Sequence, residues 1–290
     1  MFIFFSFYKN FFWLSNVALY GKRYYTKCML GFLKETDMKQ LVTVRNLTIG
    51  EGVPKICVPI IATTEAEIIA KAEEIVNYEV DLIEWRADYF EDAYNLSAVA
   101  SVLSGIRKVI GDMPLLFTFR SESEGGCKSI CSKDYFALNL AVAMYGEVDL
   151  IDLEIYHDLE RAKNVIAMLH EAGIKVIASH HDFDKTPPRS EIMNKLSKMK
   201  ELDADILKIA VMPNEIGDVA RLLKITGRTS INLEKPLITI AMGQMGIVTR
   251  IAGESFGSDI TFGTVGEGSA PGQLHVNDLK LILETLHKYS

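Results

Sequence analysis

The chain reads as a parallel (β/α)8 barrel, a TIM barrel, with an N-terminal β-hairpin closing its bottom. Three observations predict this. First, from Lys55 onward a short apolar strand, a loop and an amphipathic helix recur roughly every 25–35 residues, the span of one barrel unit. Second, the charged residues within those strands keep a period of two, so they gather on one face. Third, no G-x-G-x-x-G follows the first strand, where an open doubly wound sheet, which more often has six strands, would carry one.

The elements follow in order. Residues 41–49 alternate weakly about Arg45-Asn46 and meet Gly50-Glu51-Gly52, the pattern of a hairpin ahead of the main fold. Strands are expected at 56–62, 82–86, 115–120, 150–154, 176–181, 206–212, 237–242 and 260–265. Amphipathic helix patterns lie between them at 65–78, 132–145, 159–172, 190–200 and 215–225, and 276–288 follows strand eight.

The 290 residues suffice for one large α/β domain, and the net charge of −7 argues against nucleic acid or an anionic membrane as partner. Four cysteines in a chain this long do not form a disulfide framework, so a reducing, cytoplasmic setting is expected. Cys127 and Cys131 alone fall short of a four-ligand metal site. Residues 1–37 differ from the rest. Phe2, Phe4, Phe5, Phe7, Tyr8, Phe11, Phe12 and Trp13 crowd a segment that lacks the ~18 apolar residues a membrane span needs and any clear cleavage site. They are expected to be an extension outside the fold, such as a start placed too early, with a membrane or targeting role the alternative. Residues 38–290 are then expected to form a single barrel domain.

The run from Asp203 to Pro213 holds Lys208 at its middle. A lysine on a buried strand must reach a partner or shed its proton, because desolvation disfavours the ammonium; on an edge strand it would simply face water. Held dry, its amine can form a Schiff base with a carbonyl. The other strands favour the dry reading. Glu84 and Arg86 oppose Ile83 and Trp85, Thr118 and Arg120 oppose Phe117 and Phe119, Asp152 and Glu154 oppose Ile151 and Leu153, and Lys208 opposes Leu207 and Ile209. The apolar sets suit the layer beneath the helices, so the charged sets point into the barrel. There they must pair, with Arg86, Arg120 and Lys208 available to Glu84, Asp152 and Glu154. They also sit near the carboxyl ends of their strands, where such barrels carry active sites.

More chemistry lies at the strand ends. Ser179-His180-His181 closes strand five, and one of its imidazoles is placed for proton transfer. Glu122-Ser123-Glu124-Gly125-Gly126 is a flexible loop able to bring a carboxylate to the same mouth. Arg250, at the start of a helix after strand seven, suits a carboxylate or phosphate. The glycine-rich run from Gly266 to Gln273 reads as a lid or a weak phosphate cradle.

Seven motifs now stand in order: Glu84-Trp85-Arg86; Phe117-Thr118-Phe119-Arg120 with Glu124-Gly125-Gly126; Ser179-His180-His181-Asp182-Phe183; Lys208-Ile209-Ala210; Arg250 with Ala252-Gly253-Glu254; Phe262-Gly263; and Ser269-Ala270-Pro271-Gly272-Gln273. From Val42 to the C-terminus the chain resembles the type I 3-dehydroquinate dehydratases. The resemblance implies Lys208 as the Schiff-base lysine, His181 as general acid/base and Glu124 as its orienting carboxylate. It implies Arg250 for the substrate carboxylate. Glu84, Arg86, Arg120, Ser269 and Gln273 would bind the hydroxyls and carboxylate, and Met242 and Phe262 would form an apolar wall. It implies 3-dehydroquinate as substrate, a homodimer, and no metal or organic cofactor. Pro59 is a departure, standing where some members carry a substrate-contacting serine. The rival readings are another Schiff-base barrel enzyme, such as a class I aldolase acting on a sugar phosphate, and a non-catalytic binding barrel.

Overall fold

The computed structural model describes residues 39–266 and 268–290. The expected extension therefore lies outside the described residues. The hairpin forms as expected, from β1 (Val42–Val44) and β2 (Leu47–Ile49), paired Val42↔Ile49 and Val44↔Leu47. Its turn puts Arg45 at φ 51, a left-handed conformation that costs an L residue about 1 kcal/mol. The Arg45 guanidinium offsets this by bonding Asp149 at 2.6 Å and Asp112 at 3.0 Å, which fastens the hairpin to the barrel.

The barrel then runs β3 (Lys55–Ile60), α1 (Glu65–Ile75), β4 (Leu82–Arg86), α2 (Leu96–Ile110), β5 (Leu115–Thr118), α3 (Ser132–Met144), β6 (Leu150–Glu154), α4 (Leu159–Glu171), β7 (Lys175–Asp182) and α5 (Arg189–Glu201). It continues with β8 (Ile206–Val211), α6 (Ile216–Asn232), β9 (Leu237–Ala241), the short α7 (Ile247–Ile251) and α8 (Gly253–Phe256), β10 (Ile260–Thr264), β11 (Leu274–His275) and α9 (Val276–Lys288). A parallel ladder joins β10-β3-β4-β5-β6-β7-β8-β9. Two of the longer helices depart from the expectation. α2 is absent from the expected helices, although Val99, Val102, Leu103, Ile106 and Ile110 give it a continuous buried stripe at helical spacing. Asn95 caps its start, accepting the Ser97 and Ala98 N–H groups, and Gly105 packs against α1, where a Cβ would stand 2.6 Å from Ile69 Cδ1. α6 runs seven residues past the expected end at 225, through Thr226, which bonds back to the Leu222 carbonyl and across to Thr239.

The barrel is stitched by a repeat that the sequence reading missed. Asp81, Asp149, Asp205 and Asp259 each stand one residue ahead of β4, β6, β8 and β10. Each donates its N–H to the carbonyl of a residue at the start of the preceding strand: Ile56, Leu115, Val176 or Leu237. Each also accepts that same residue's N–H on Oδ2, at 2.7, 2.9, 2.8 and 2.7 Å respectively. The fourth repeat closes the ring between β9 and β10.

Side chains fill the barrel in layers drawn from alternate strands. Leu82, Leu150, Ile206 and Ile260 lie lowest and pack with the hairpin's Val42, Val44 and Ile49, as does the next set, Cys57, Leu116, Ile177 and Ile238. Two residues further along the first set come Glu84, Asp152, Lys208 and Phe262, where the core turns from grease to chemistry. Among the described residues no helix is long and apolar enough to cross a membrane.

Candidate active site

Above that layer a cavity with about 480 Å3 of empty space opens at the carboxyl ends of the strands. All eleven residues expected at the site line it: Glu84, Arg86, Arg120, Glu124, His181, Lys208, Met242, Arg250, Phe262, Ser269 and Gln273. Lys208 is 4% exposed, and the dry strand expected from the sequence is what forms. Its Nζ lies 2.8 Å from Asp152 Oδ2 and 4.5 Å from the centroid of the Phe262 ring.

The ions pair as the sequence allows, except that Arg86 finds its partner outside the expected set. Asp152, fully buried, also meets Arg120 Nη2 at 2.9 Å and accepts from Ser179 Oγ. Burial alone would raise its carboxyl, but Arg120 and Lys208 pull it far below the usual range, so it is an anion at any working pH. Arg120 Nη1 reaches Glu154 at 2.7 Å and stands 3.6 Å from Glu124. Burial works against the guanidinium's charge, yet Asp152, Glu154 and Glu124 hold its value well above the ordinary one. Arg86 is not paired with Glu84. It makes a two-pronged bond to Asp88, at 2.8 and 2.9 Å, on the turn just past β4. Glu84 instead accepts from Thr118 Oγ1 at 2.8 Å.

Glu124 is held in a tight turn rather than a flexible loop. A Cβ at Gly126 would lie 1.8 Å from the Arg120 carbonyl, and Asp88 accepts the Cys127 N–H at 3.1 Å. Glu124 Oε2 accepts the His181 N–H at 3.0 Å and faces His181 Nδ1 at 3.0 Å, while Oε1 faces His180 Nδ1 at 3.0 Å. Burial would raise the Glu124 carboxyl, but the two histidine bonds and Arg120 bring it down to about 2. An ionised carboxylate only accepts, so Nδ1 of His181 carries the hydrogen and Nε2 keeps a lone pair. Burial, then Arg120 and Lys208, outweigh Glu124 and lower His181 to about 4, so the imidazole is neutral at pH 7 with its Nε2 lone pair open to a proton. Of the two imidazoles the sequence left open, His181 is the one inside; His180 packs edge-on against Tyr156.

Arg250 sits in the last turn of α7 rather than at a helix start, and it is 1% exposed. It bonds only carbonyls, Pro271 O at 3.0 Å and Phe262 O at 3.5 Å, and its Nε has no partner. No carboxylate lies within ion-pair distance of it among the described residues. Burial alone pushes it down to about 10. Ser269 and Gln273 bond each other, Ser269 N–H to Oε1 at 2.7 Å and Nε2 to Ser269 Oγ at 3.1 Å, so that N–H is not free to cradle a phosphate. Ile240 and Ala210 extend the apolar wall of Met242 and Phe262.

Pro59 is buried beside Glu84 in the β3–β4 register but does not line the cavity. Lys55 N–H points to β10 and Ile56 N–H to β4. Odd-numbered residues of β3 therefore face β10, whose ladder with β3 ends at Phe262↔Cys57, before the proline that has no N–H to continue it.

Three parts of the site were not legible in the sequence: Asp88, which holds Arg86; Ser121, whose N–H and hydroxyl bond Glu154; and Asp152 as the partner of Lys208. Asp152 was legible as an inward anion. Asp88 lies past its strand, where a period of two no longer says which way a side chain points.

A buried amine against a carboxylate and a neutral imidazole, with a buried guanidinium that no carboxylate of the described residues pairs, define a barrel enzyme for a small anionic molecule. Comparison with known proteins narrows this. Residues 56–290 match the model of the type I 3-dehydroquinases. The chain is 44% identical over 247 residues to the 3-dehydroquinate dehydratase of Listeria monocytogenes serotype 4a, covering 85% of this chain and 98% of that one. It is 45% identical over 252 residues to that of Bacillus licheniformis, covering 87% and 99%. A solved type I 3-dehydroquinate dehydratase from Clostridium difficile, described as carrying covalently modified comenic acid, superposes with TM-score 0.85 at 46% identity over 87% of this chain and all of that one. That of Geobacillus kaustophilus gives 0.85 at 36% identity, over 88% and 99%. The chain belongs to the type I 3-dehydroquinase family.

Proposed function

We propose that this chain dehydrates 3-dehydroquinate to 3-dehydroshikimate through a Schiff base on Lys208, as a hydro-lyase of the shikimate pathway. The observation that carries the reading is one cavity in which a buried lysine, a neutral imidazole and an arginine with no carboxylate partner among the described residues converge.

Arg250 takes the substrate carboxylate with its unused N–H groups. His181 Nε2 takes a proton from the Lys208 ammonium held by Asp152, the freed amine attacks the C3 ketone, and the proton His181 carries leaves with the carbinolamine hydroxyl as water, giving an iminium and a neutral imidazole. Asp152 stays anionic and stabilises that cation at 2.8 Å. The iminium draws electrons from C2, and His181 Nε2 removes the C2 proton. The enamine then expels the C1 hydroxyl, which leaves as water with the proton His181 carries. Water returns to C3, and hydrolysis frees the enone and the amine. Glu124 holds the imidazole through Nδ1, while Glu84, Arg86, Arg120, Ser269 and Gln273 take the hydroxyls and carboxylate. Met242 and Phe262 keep bulk water from the imine.

Borohydride added with 3-dehydroquinate should leave a reduced adduct on Lys208, located by mass spectrometry, while Lys208→Ala should give neither adduct nor turnover. An adduct formed only with sugar phosphates would favour an aldolase; turnover surviving Lys208→Ala would refute the mechanism. As part of the same proposal, residues 38–290 are the catalytic domain, and removing 1–37 leaves kcat unchanged. The enzyme works as a homodimer, which sedimentation would test. The free thiols Cys57, Cys127 and Cys131 suit the cytoplasm.

A further inference from the structure

The carboxylate of Glu124 serves two rings. Oε2 holds His181 and Oε1 holds His180, each at 3.0 Å. The two histidines are successive residues of β7, so their side chains leave on opposite faces. His181 turns into the cavity; His180 lies outside it, 17% exposed, with its ring centroid 5.4 Å from that of Tyr156. Glu124 reaches both because its turn, Glu122–Glu124, lies across the end of β7.

A carboxylate's last torsion is soft. The His181 bonds engage one oxygen; the His180 bond engages the other, and between them the group cannot turn. We propose that His180 is a positioning residue, which locks the Glu124 carboxylate so that one oxygen stays on the catalytic imidazole. The inference rests on the reading of His181 as acid/base.

The bond also sets how strongly Glu124 holds a proton on His181. An ionised carboxylate accepts from His180 Nδ1–H, and charge drawn to that bond is lost to His181. The other titratable groups around His180 do not take over this part. Tyr156, from the turn Ile155–His157, is pushed up to about 12 by burial and by Glu124 and Glu201, and stays neutral. Lys195 of α5 lies over the Tyr156 ring, 4.4 Å from its centroid. Arg120 stands 3.6 Å from Oε2, on the His181 side. His181 and Asp182 follow on the strand itself.

The test measures kcat and KM for 3-dehydroquinate across the acid limb for the full-length wild type, His180→Phe and His180→Asn. Phe keeps a ring against Tyr156 but has no donor. Asn places an amide N–H close to the position of Nδ1 and does not titrate. His180→Phe should lower kcat about fivefold with KM changed less than about twofold, and should move the acid limb of kcat/KM upward, because Glu124 then holds the His181 proton more tightly. His180→Asn should recover most of the lost kcat. A purely structural role would lower thermal stability and leave the limb in place. Wild-type kcat and limb in His180→Phe, or an Asn variant as impaired as Phe, would overturn the inference. Should His180→Phe not fold, His180→Ser, too short to reach Oε1, replaces it with the same expectations. A wild type that does not turn over 3-dehydroquinate would sink the functional reading and this inference with it; turnover with an unmoved variant profile would remove the inference alone.

Discussion

Arg250 offers a prediction that separates the cost of a site from its use. The guanidinium is buried, no carboxylate pairs with it among the described residues, and burial lowers it from 12.5 to about 10. Taken over that range, the folded ligand-free protein carries about 3 kcal/mol of unrelieved desolvation at neutral pH. The sign is that of a depressed cation. Relative to the unfolded chain, folding is penalised at every pH below about 10, and the penalty fades only as pH rises toward 12.5.

Arg250→Met keeps the length of the side chain and removes the charge. It also gives up the bonds to Pro271 O and Phe262 O, the latter at the limit of hydrogen-bond reach, together worth about 1–2 kcal/mol. The net expectation is a variant more stable by about 1–2 kcal/mol, or roughly 2–5 °C in Tm for a domain of this size. Without the cation, KM for 3-dehydroquinate should rise at least about a hundredfold, the worth of a two-pronged charge-assisted bond. The assay is a pair of thermal melts, with and without saturating 3-dehydroshikimate. The product should raise Tm of the wild type and leave that of Arg250→Met unmoved. A variant that melts well below wild type, or that responds equally to product, would refute the reasoning, because Arg250 would then be a structural strut with its partners already in place.

Two further outcomes follow from the same geometry. Asp149 accepts the Leu115 N–H at 2.9 Å, Arg107 at 2.7 Å and Arg45 at 2.6 Å, joining hairpin, α2 and barrel seam. Asp149→Ala should cost about 3 kcal/mol, seen as a fall in Tm of about 8 °C with kcat unchanged, since the residue lies at the end of the barrel opposite the cavity; a loss of kcat without a loss of Tm would contradict this. His181 is held down to about 4 by burial and Arg120, so an unfolded chain takes up its proton near pH 6.5 and the folded one does not. Stability should therefore fall by up to about 3 kcal/mol as pH drops from 6.5 to 4, and denaturant titrations of His181→Asn should show that window flattened. Below it Glu124, lowered from 4.5 to about 2, continues the decline.

Strands were legible wherever one physical rule governed them. β4 and β6 match the expected bounds, because charge and apolar residue alternate cleanly between interior and helix layer. β5 ends at Thr118, two residues short of the expected 120, yet Arg120 still reaches the interior: its partners Asp152 and Glu154 hold the side chain after the ladder has stopped. The pairing of the ions was less legible, because it depends on distances between strands that a periodicity does not contain. Period two placed six charges inside; it did not say that Arg120 would bridge Asp152 and Glu154, or that Arg86 would turn from Glu84 to Asp88.

The repeat of aspartates was hidden for a different reason. Each reads alone as an ordinary loop acid before a strand, and only the register shows that all four make the same pair of bonds. That register also explains where the chemistry begins. Each aspartate fixes the start of its strand, the first inward residue after it is apolar, and two residues later stand Glu84, Asp152, Lys208 and Phe262. The height of the reactive amine above the floor of the barrel is thus set by an anchor three residues earlier. A one-residue insertion between Asp205 and Lys208 should turn the amine toward the helix layer and abolish trapping by borohydride. The same insertion in the loop before Asp205 should leave the anchor, and so the adduct, intact.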